Sequence, residues 1–341
     1  MSLLCKPIQA GSLLLHNRLV MPPMATAKSD AAGRVTRELI DYYDEKTMGG
    51  YLGLVIVEHS FMKLEGKAHP GQLSIADDGA VEGLKSLAKT IKQNGSKAVL
   101  QVNHAGTAAA AEVTGSTPVG PSAVKNPRRG DMPRELSVEE LRELAQAFGD
   151  AARRTREAGF DGVEIHSAHG YLLNQFFSPL TNRRKDEYGG SVLNRIRLHL
   201  EVIAAVKDAA GSDFPVLLRL GASDFLPGGT TIEDSITAAK EFEKAGVGIL
   251  DISGGFSGYT VPGLTGQGFF APLSEAVKQA VSIPVILTGG VTEAEAAEKL
   301  LRDSKADLIG VGRAVLQDSN WARDAVTKLM RQKGAGAGNQ D

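Results

Sequence analysis

Cysteine is almost absent: Cys5 is the one such residue among 341. That excludes an intramolecular disulfide and a cysteine-ligated iron–sulfur cluster within this sequence, and it fits a reducing, cytoplasmic setting. Long apolar runs are missing too. None approaches the length that spans a bilayer, so no membrane partner is expected. The opening residues, MSLLCKPIQAGSLLLHNRLV, lack the extended apolar core of a signal peptide, their leucine runs being broken by Lys6, Pro7 and His16. Charge of one sign is scarce as well: 38 Lys and Arg against 40 Asp and Glu give a formal net charge of −2 and a pI near 6.4. With no basic block, nucleic acid is not an expected partner. No G-x-G-x-x-G follows the first strand-like run, which ends in Pro22-Pro23-Met24. A doubly wound dinucleotide-binding sheet usually carries that fingerprint.

What the sequence does have is an alternation. Apolar residues make up 42% and charged residues 23%, enough for a large core and a charged surface. Strand-like runs begin near residues 19, 53, 97, 161, 215, 248, 284 and 307. One of them, GLVIV at 53–57, is continuously apolar, as in a strand buried on both faces. Helical patterns separate them. Leu84, Leu87, Ala88 and Ile91 recur at helical spacing, and Ser137-Val-Glu-Glu140 is a capping box before Leu141, Leu144, Ala145, Phe148 and Ala152. Thr230-Thr-Ile-Glu233 and Thr292-Glu-Ala-Glu295 read as caps of two further helices. A weak repeat, EAGFDGVEI, KAGVGILDI and SKADLIGVG, shares one order: helix end, small residue, strand. Eight strand–helix units in this length predict an α/β protein, a closed (β/α)8 TIM barrel, as a single domain over 1–331. A hairpin is expected about Ala10-Gly11, and residues 332–341, with the run GAGAGNQD, read as a disordered tail. Residues 105–136 break the alternation, and a loop that long is usually functional.

In such a barrel the chemistry gathers at the carboxyl ends of the strands. Here those ends are Pro23-Met24-Ala25, Glu58-His59, Gln101 with His104, His166 with His169 and Tyr171, Arg219, Ser253-Gly254-Gly255, Gly289-Gly290 and Gly312-Arg313. The last three are rich in glycine. Their backbone N–H groups, the start of a helix near Thr292 and the Arg313 guanidinium suit a phosphate, although Gly289-Gly290 alone would be no more than a turn. Gln101 and Arg219 suit the carbonyl and imide edges of a heteroaromatic ring. Arg219 would equally serve in an interior ion pair with Glu164 or Asp251, and Gln101 as a satisfied interior amide. His166 and His169 can polarise one carbonyl oxygen together, or bind zinc with Glu164, Asp251 or His104 as a third ligand. Tyr171 offers a phenol that can donate a proton, or a buried ring with a hydrogen-bonded tip.

Five segments carry a resemblance: NRLVMPPM (17–24), LQVNHAG (100–106), AGFDGVEIHSAHGYLLNQFFSPLTNRRKDEYGGSVLNR (158–195), LLRLGASD (217–224) and ADLIGVGRAVLQD (306–318). Over residues 3–325 the chain resembles the Old Yellow Enzyme family of FMN-dependent NAD(P)H:flavin oxidoreductases. The resemblance implies a barrel that binds FMN noncovalently, with NADH or NADPH as reductant. It implies Pro22, Pro23, Met24, Ala25 and His59 along the flavin ring, and Gln101 and Arg219 at its polar edge. Ser253, Gly254, Gly289, Gly290, Gly312 and Arg313 would lie toward the ribityl phosphate. His166 and His169 would bind a substrate oxygen, and Tyr171 would protonate. The implied reaction is hydride transfer from the flavin to the β-carbon of an activated alkene: an enone, enal, nitroalkene or ketosteroid. The partner is then a small molecule, and homodimer and homotetramer both stay open.

The sequence departs from the family at three places. Ala25 stands where many relatives carry Thr or Cys, and cannot hydrogen-bond the flavin. Ala27 stands where bacterial relatives often carry a substrate-contacting Tyr, which predicts a wider pocket. The tail lacks the aromatic and arginine-bearing end that some relatives insert into a neighbouring subunit. The absence of a cysteine cluster after the barrel sets the chain apart from the larger iron–sulfur relatives. Alternatives are a related flavin barrel that oxidises amines or N-methyl groups, and a metal-dependent barrel hydrolase built on His166 and His169.

Overall fold

The computed structural model describes residues 2–126 and 131–331. Eight parallel strands close into a barrel: β1 (Leu19–Met21), β2 (Leu54–Phe61), β3 (Lys97–Asn103), β4 (Gly162–Ser167), β5 (Val216–Gly221), β6 (Ile249–Ser253), β7 (Val285–Thr288) and β8 (Leu308–Gly310). Closure comes from β8 on β1, with Ile309 opposite Leu19 and Gly310 opposite Val20. The principal helices pack outside: α1 (Arg37–Thr47), α2 (Val81–Gln93), α3 (Val138–Glu157), α4 (Arg197–Ala210), α5 (Ile232–Ala245), α6 (Ala271–Ala280), α7 (Ala294–Arg302) and α8 (Trp321–Arg331).

Two-residue alternation explains how this barrel carries a site at one end. Every second strand residue points inward. Along β3 these are Val99 then Gln101; along β5, Leu217 then Arg219; along β6, Ile249 then Asp251. The amino-terminal layer is therefore apolar: Val20, Leu54, Ile56, Val99, Leu217, Ile249, Ile286 and Leu308 form one buried cluster. The next layer is polar, and the registers hold its members level, with Gln101 opposite Glu164, and Arg219 opposite both His166 and Asp251. The expected hairpin (Ile8–Ala10 with Leu13–Leu15) turns at Gly11 and contributes Ala10, Leu13 and Leu15 to the apolar cluster, so it plugs the barrel's closed end. Outward-facing strand residues pack on the helices in a second, larger core that includes Tyr43, Phe148, Phe176 and Phe242.

Several details differ from expectation. The second strand does not stop at Val57. It continues to Phe61 through a register shift against β3 between Val57 and Ser60, so Glu58 and His59 lie within it. The cap of α5 is Thr231 with Asp234, one residue later than expected, because Thr230 is buried and its backbone N–H is held by Asp224. The expected cap at Thr292 is not made by that side chain. The backbone N–H groups of Thr292 and Glu293 donate instead to Oε1 of Gln267, and α7 begins at Ala294. The 105–136 excursion holds a short helix (Ala111–Thr114) and a two-stranded parallel ladder, Val119–Gly120 with Arg134–Glu135. Residues 332–341, expected to be a disordered tail, lie outside the described residues.

Candidate active site

A cavity of about 680 Å³ opens at the carboxyl ends of the strands, within the range of small-molecule and cofactor sites. Its lining includes Pro22, Pro23, Met24 and Ala25 after β1, His59 from β2 and Gln101 from β3. The β4 end adds His166, His169 and Tyr171, and β5 adds Arg219. The far side is made by Gly289, Gly290, Gly312 and Arg313. The structure thus brings together eleven of the thirteen residues expected to hold a cofactor, and all three of the His-His-Tyr group.

The β4 end is built by its turn. His169 has φ of 60° and Gly170 of 73°, so two left-handed residues in succession reverse the chain. For a histidine that conformation is strained. It is held by the His169 N–H donating to the Gly254 carbonyl (3.2 Å) and the Gly170 N–H donating to Oδ1 of Asn174 (2.7 Å). The reversal brings the His169 ring to 5.2 Å from His166, edge to face, with Tyr171 at 5.1 Å from His166. Nδ1 of His166 accepts from the Ala168 N–H (3.3 Å), which leaves the ring proton on Nε2. Burial, then the neighbouring His169, His59 and Arg219, hold His166 well below the usual imidazole range, so the ring is neutral.

Below the cavity lies a buried polar layer. Gln101 Nε2 donates to Glu164 (2.7 Å), Arg219 Nη1 pairs with Asp251 (3.2 Å), and the Thr288 hydroxyl donates to Asp251 (3.2 Å). The interior ion pair anticipated for Arg219 is therefore real, yet the same side chain lines the cavity. Its Nε and Nη1 are buried without a hydrogen-bond partner. Burial, then repulsion from Asp251, pushes Glu164 up to about 8. At the opposite edge Arg313 is exposed, and no carboxylate pairs with it among the described residues.

Other expected residues fall elsewhere. Ser253 and Gly254 are not among the lining residues; Ser253 Oγ bonds Nε2 of His169 (2.8 Å), and a Cβ on Gly254 would stand 2.2 Å from the Gly258 carbonyl. Ala27 is exposed and off the cavity, with φ of 55°. His104 turns away: its Nδ1 accepts from the Gly106 N–H and its Nε2 faces Glu65 at 3.8 Å. Among the described residues no three His, Cys, Asp or Glu side chains are grouped to hold a metal. Conversely, Ala108, Asn126 and Tyr259 line the cavity without having been singled out. The first two come from the 105–136 excursion, whose length was the only signal. Tyr259 sits in a glycine-rich loop, 5.9 Å ring to ring from His169.

The model of the NADH:flavin oxidoreductase / NADH oxidase family matches residues 3–332. This chain belongs to that family. The chain is 42% identical over 321 residues to a NADH oxidase of Thermoanaerobacter brockii, covering 92% of this chain and 49% of that one. It is 37% identical to a NADPH dehydrogenase of Geobacillus sp. (strain WCH70), covering 96% and 95%. Its fold superimposes with a TM-score of 0.82 on the old yellow enzyme homologue of Zymomonas mobilis, at 29% identity and covering 95% and 92%. The family's cofactor is FMN, with NAD(P)H as reductant. The chain spans about half the length of the first curated relatives it matches. No helix among the described residues is long and apolar enough to cross a membrane.

Proposed function

We propose that the chain is an ene-reductase that saturates the activated C=C bond of α,β-unsaturated carbonyl compounds. The observation that carries this reading is the convergence of His166, His169 and Tyr171 on one wall of the cavity. FMN, when bound, would supply the hydride-transfer chemistry between NAD(P)H and the substrate's β-carbon.

The chain's own residues do the rest. His166 donates its Nε2–H to the substrate's carbonyl oxygen. His169, whose Nε2 meets the Ser253 hydroxyl at 2.8 Å, is the second imidazole at the same oxygen. Hydrogen-bonding groups held in place before the reaction, the neutral His166 first among them, stabilise the negative charge that grows there. Tyr171 delivers a proton to the α-carbon from its phenol. Paired donors suit an oxygen acceptor better than an amine, which favours this reading over amine oxidation.

The fit to FMN rests on groups left without partners. Nε of Arg219, buried without a hydrogen-bond partner beside Gln101, would meet the electron-accepting edge of the ring. Pro22, Pro23, Met24 and Ala25 would lie along it. The unpaired Arg313, with the backbone of Gly289, Gly290 and Gly312, would hold the phosphate. In this reading Ser253 and Gly254 serve His169. The test is anaerobic: NADH or NADPH bleaches the bound flavin, and cyclohexenone then restores its colour. A reduced flavin that no enone, nitroalkene or ketosteroid reoxidises would sink the proposal.

A further inference from the structure

His59 is a third imidazole on the cavity, and the reaction above leaves it without a task. It lies within the register shift in β2, between Val57 and Ser60, a kind of irregularity that re-aims side chains next to active sites. Its Nδ1 lies 2.8 Å from Nε2 of Gln72. The direction of that amide is fixed at both ends. Oε1 of Gln72 accepts from the Ala68 N–H (2.6 Å), and Nε2 also donates to the His59 carbonyl (3.1 Å). A backbone N–H can only donate and a carbonyl can only accept, so the amide has one orientation. Nδ1 of His59 must therefore accept, and the ring proton sits on Nε2. Protonating Nδ1 would set two N–H donors against each other. Burial, then His69 and Arg219, acts in the same direction and holds the ring neutral, down to about 3.

Nε2–H of His59 has no hydrogen-bond partner among the described residues, and the ring lines the cavity. Its neighbours fix which part it serves. The Tyr171 ring is 5.4 Å away and tilted by 32°, and the His166 ring 6.3 Å away at 72°. His59, expected from the resemblance along the flavin ring, thus also stands against the wall assigned above to the substrate. Next to it, Ala25 brings no polar side chain.

Two fixed Nε2–H donors, on His166 and His59, face one cavity a ring's width apart. They can each take one oxygen of the same small molecule. We propose that His59 is a second oxygen-binding point for the substrate, so that the site favours activated alkenes with two acceptor oxygens, such as ene-1,4-diones, over those with one. Gln72 is its positioning residue. This inference rests on the reading of His166 and His169 as the first oxygen-binding point.

The test uses the FMN-loaded, oxidised enzyme and two unreactive phenols, 4-methylphenol with one acceptor oxygen and 4-hydroxybenzaldehyde with two. Equilibrium titrations followed by flavin absorbance give both Kd values. In His59→Phe the preference for 4-hydroxybenzaldehyde over 4-methylphenol is expected to fall about tenfold, the value of one hydrogen bond. Gln72→Leu should lower it in the same direction. With only the longer contact from Nδ2 of Asn103 (3.4 Å) left on Nδ1, 15N NMR of the imidazole in that variant should show a share of the Nδ1–H tautomer where the wild-type enzyme shows Nε2–H alone. Equal changes for the two phenols, or a loss confined to FMN affinity, would overturn the proposal. A wild-type enzyme that binds neither phenol overturns the first oxygen-binding point and this one with it.

Discussion

At His166 the position of one proton decides what the residue can do. The Ala168 N–H occupies Nδ1, so the ring can only donate from Nε2. If His166 binds the substrate oxygen as proposed, replacing it with Ala removes a donor to the developing oxyanion. Phenol binding to the oxidised enzyme should weaken at least tenfold, read from charge-transfer absorbance; unchanged affinity would count against its role. Tyr171→Phe separates a different step. It should lower the alkene half-reaction by roughly 10²-fold, as loss of a general acid does, while flavin reduction by NAD(P)H changes far less. Stopped-flow measurement of the two half-reactions checks this. These residues were legible because polar chemistry arrives abruptly after the apolar run Gly162–Ile165. Gln72 and Tyr259 were not. Their roles depend on which loop folds against which strand, and no local pattern encodes that.

At the scale of elements, β2 carries a titration. Glu58 lies buried beside the register shift. Burial pushes it up to about 7, partly offset by the hydrogen bonds at Thr26 and by Lys28. The neutral form is the one the fold prefers, so its contribution to stability is full below about pH 4.5 and is lost as pH rises through about 7. A shift of that size corresponds to about 3 kcal/mol. Urea denaturation from pH 5 to 8 should show stability falling with pH, and Glu58→Gln should flatten the fall. A steeper decline in the variant would contradict the sign. At α3 the capping box is complete, with Ser137 Oγ accepting from the Glu140 N–H and the Glu140 carboxylate accepting from the Ser137 N–H. Ser137→Ala should cost about 1 kcal/mol by the same method. That box was legible because it needs only residues three positions apart. The cap of α7 was not, because Gln267 supplies it from the loop before α6. Strand positions were legible almost throughout, since burial on both faces forces continuous apolar runs. The extension of β2 through Glu58 and His59 was hidden, since polar residues at a strand end read as a stop.

For the whole molecule, closure of the barrel explains why two chemically different ends share one cavity. The chain supplies Gln101 and Arg219, proposed above for the ring edge, from β3 and β5, and Gly289, Gly290, Gly312 and Arg313, proposed for the phosphate, from its last third. Pairing of β8 with β1 sets Arg313 near Pro22 and Met24. A ligand that spans both ends then ties the two parts of the chain together, and binding to the folded state alone adds about 2.7 kcal/mol of stability at a hundredfold excess over Kd. If Arg313 holds the phosphate, its removal should act on FMN and spare riboflavin, which has the same ring and no phosphate. In fluorescence titrations of the apoprotein, Arg313→Ala should weaken FMN binding about tenfold or more, as loss of a charged hydrogen bond does, with riboflavin affinity changed far less. The thermal shift that FMN confers should shrink to that of riboflavin. Equal loss for both ligands would move Arg313 from the phosphate to the ring, and an unchanged FMN affinity would remove it from the site.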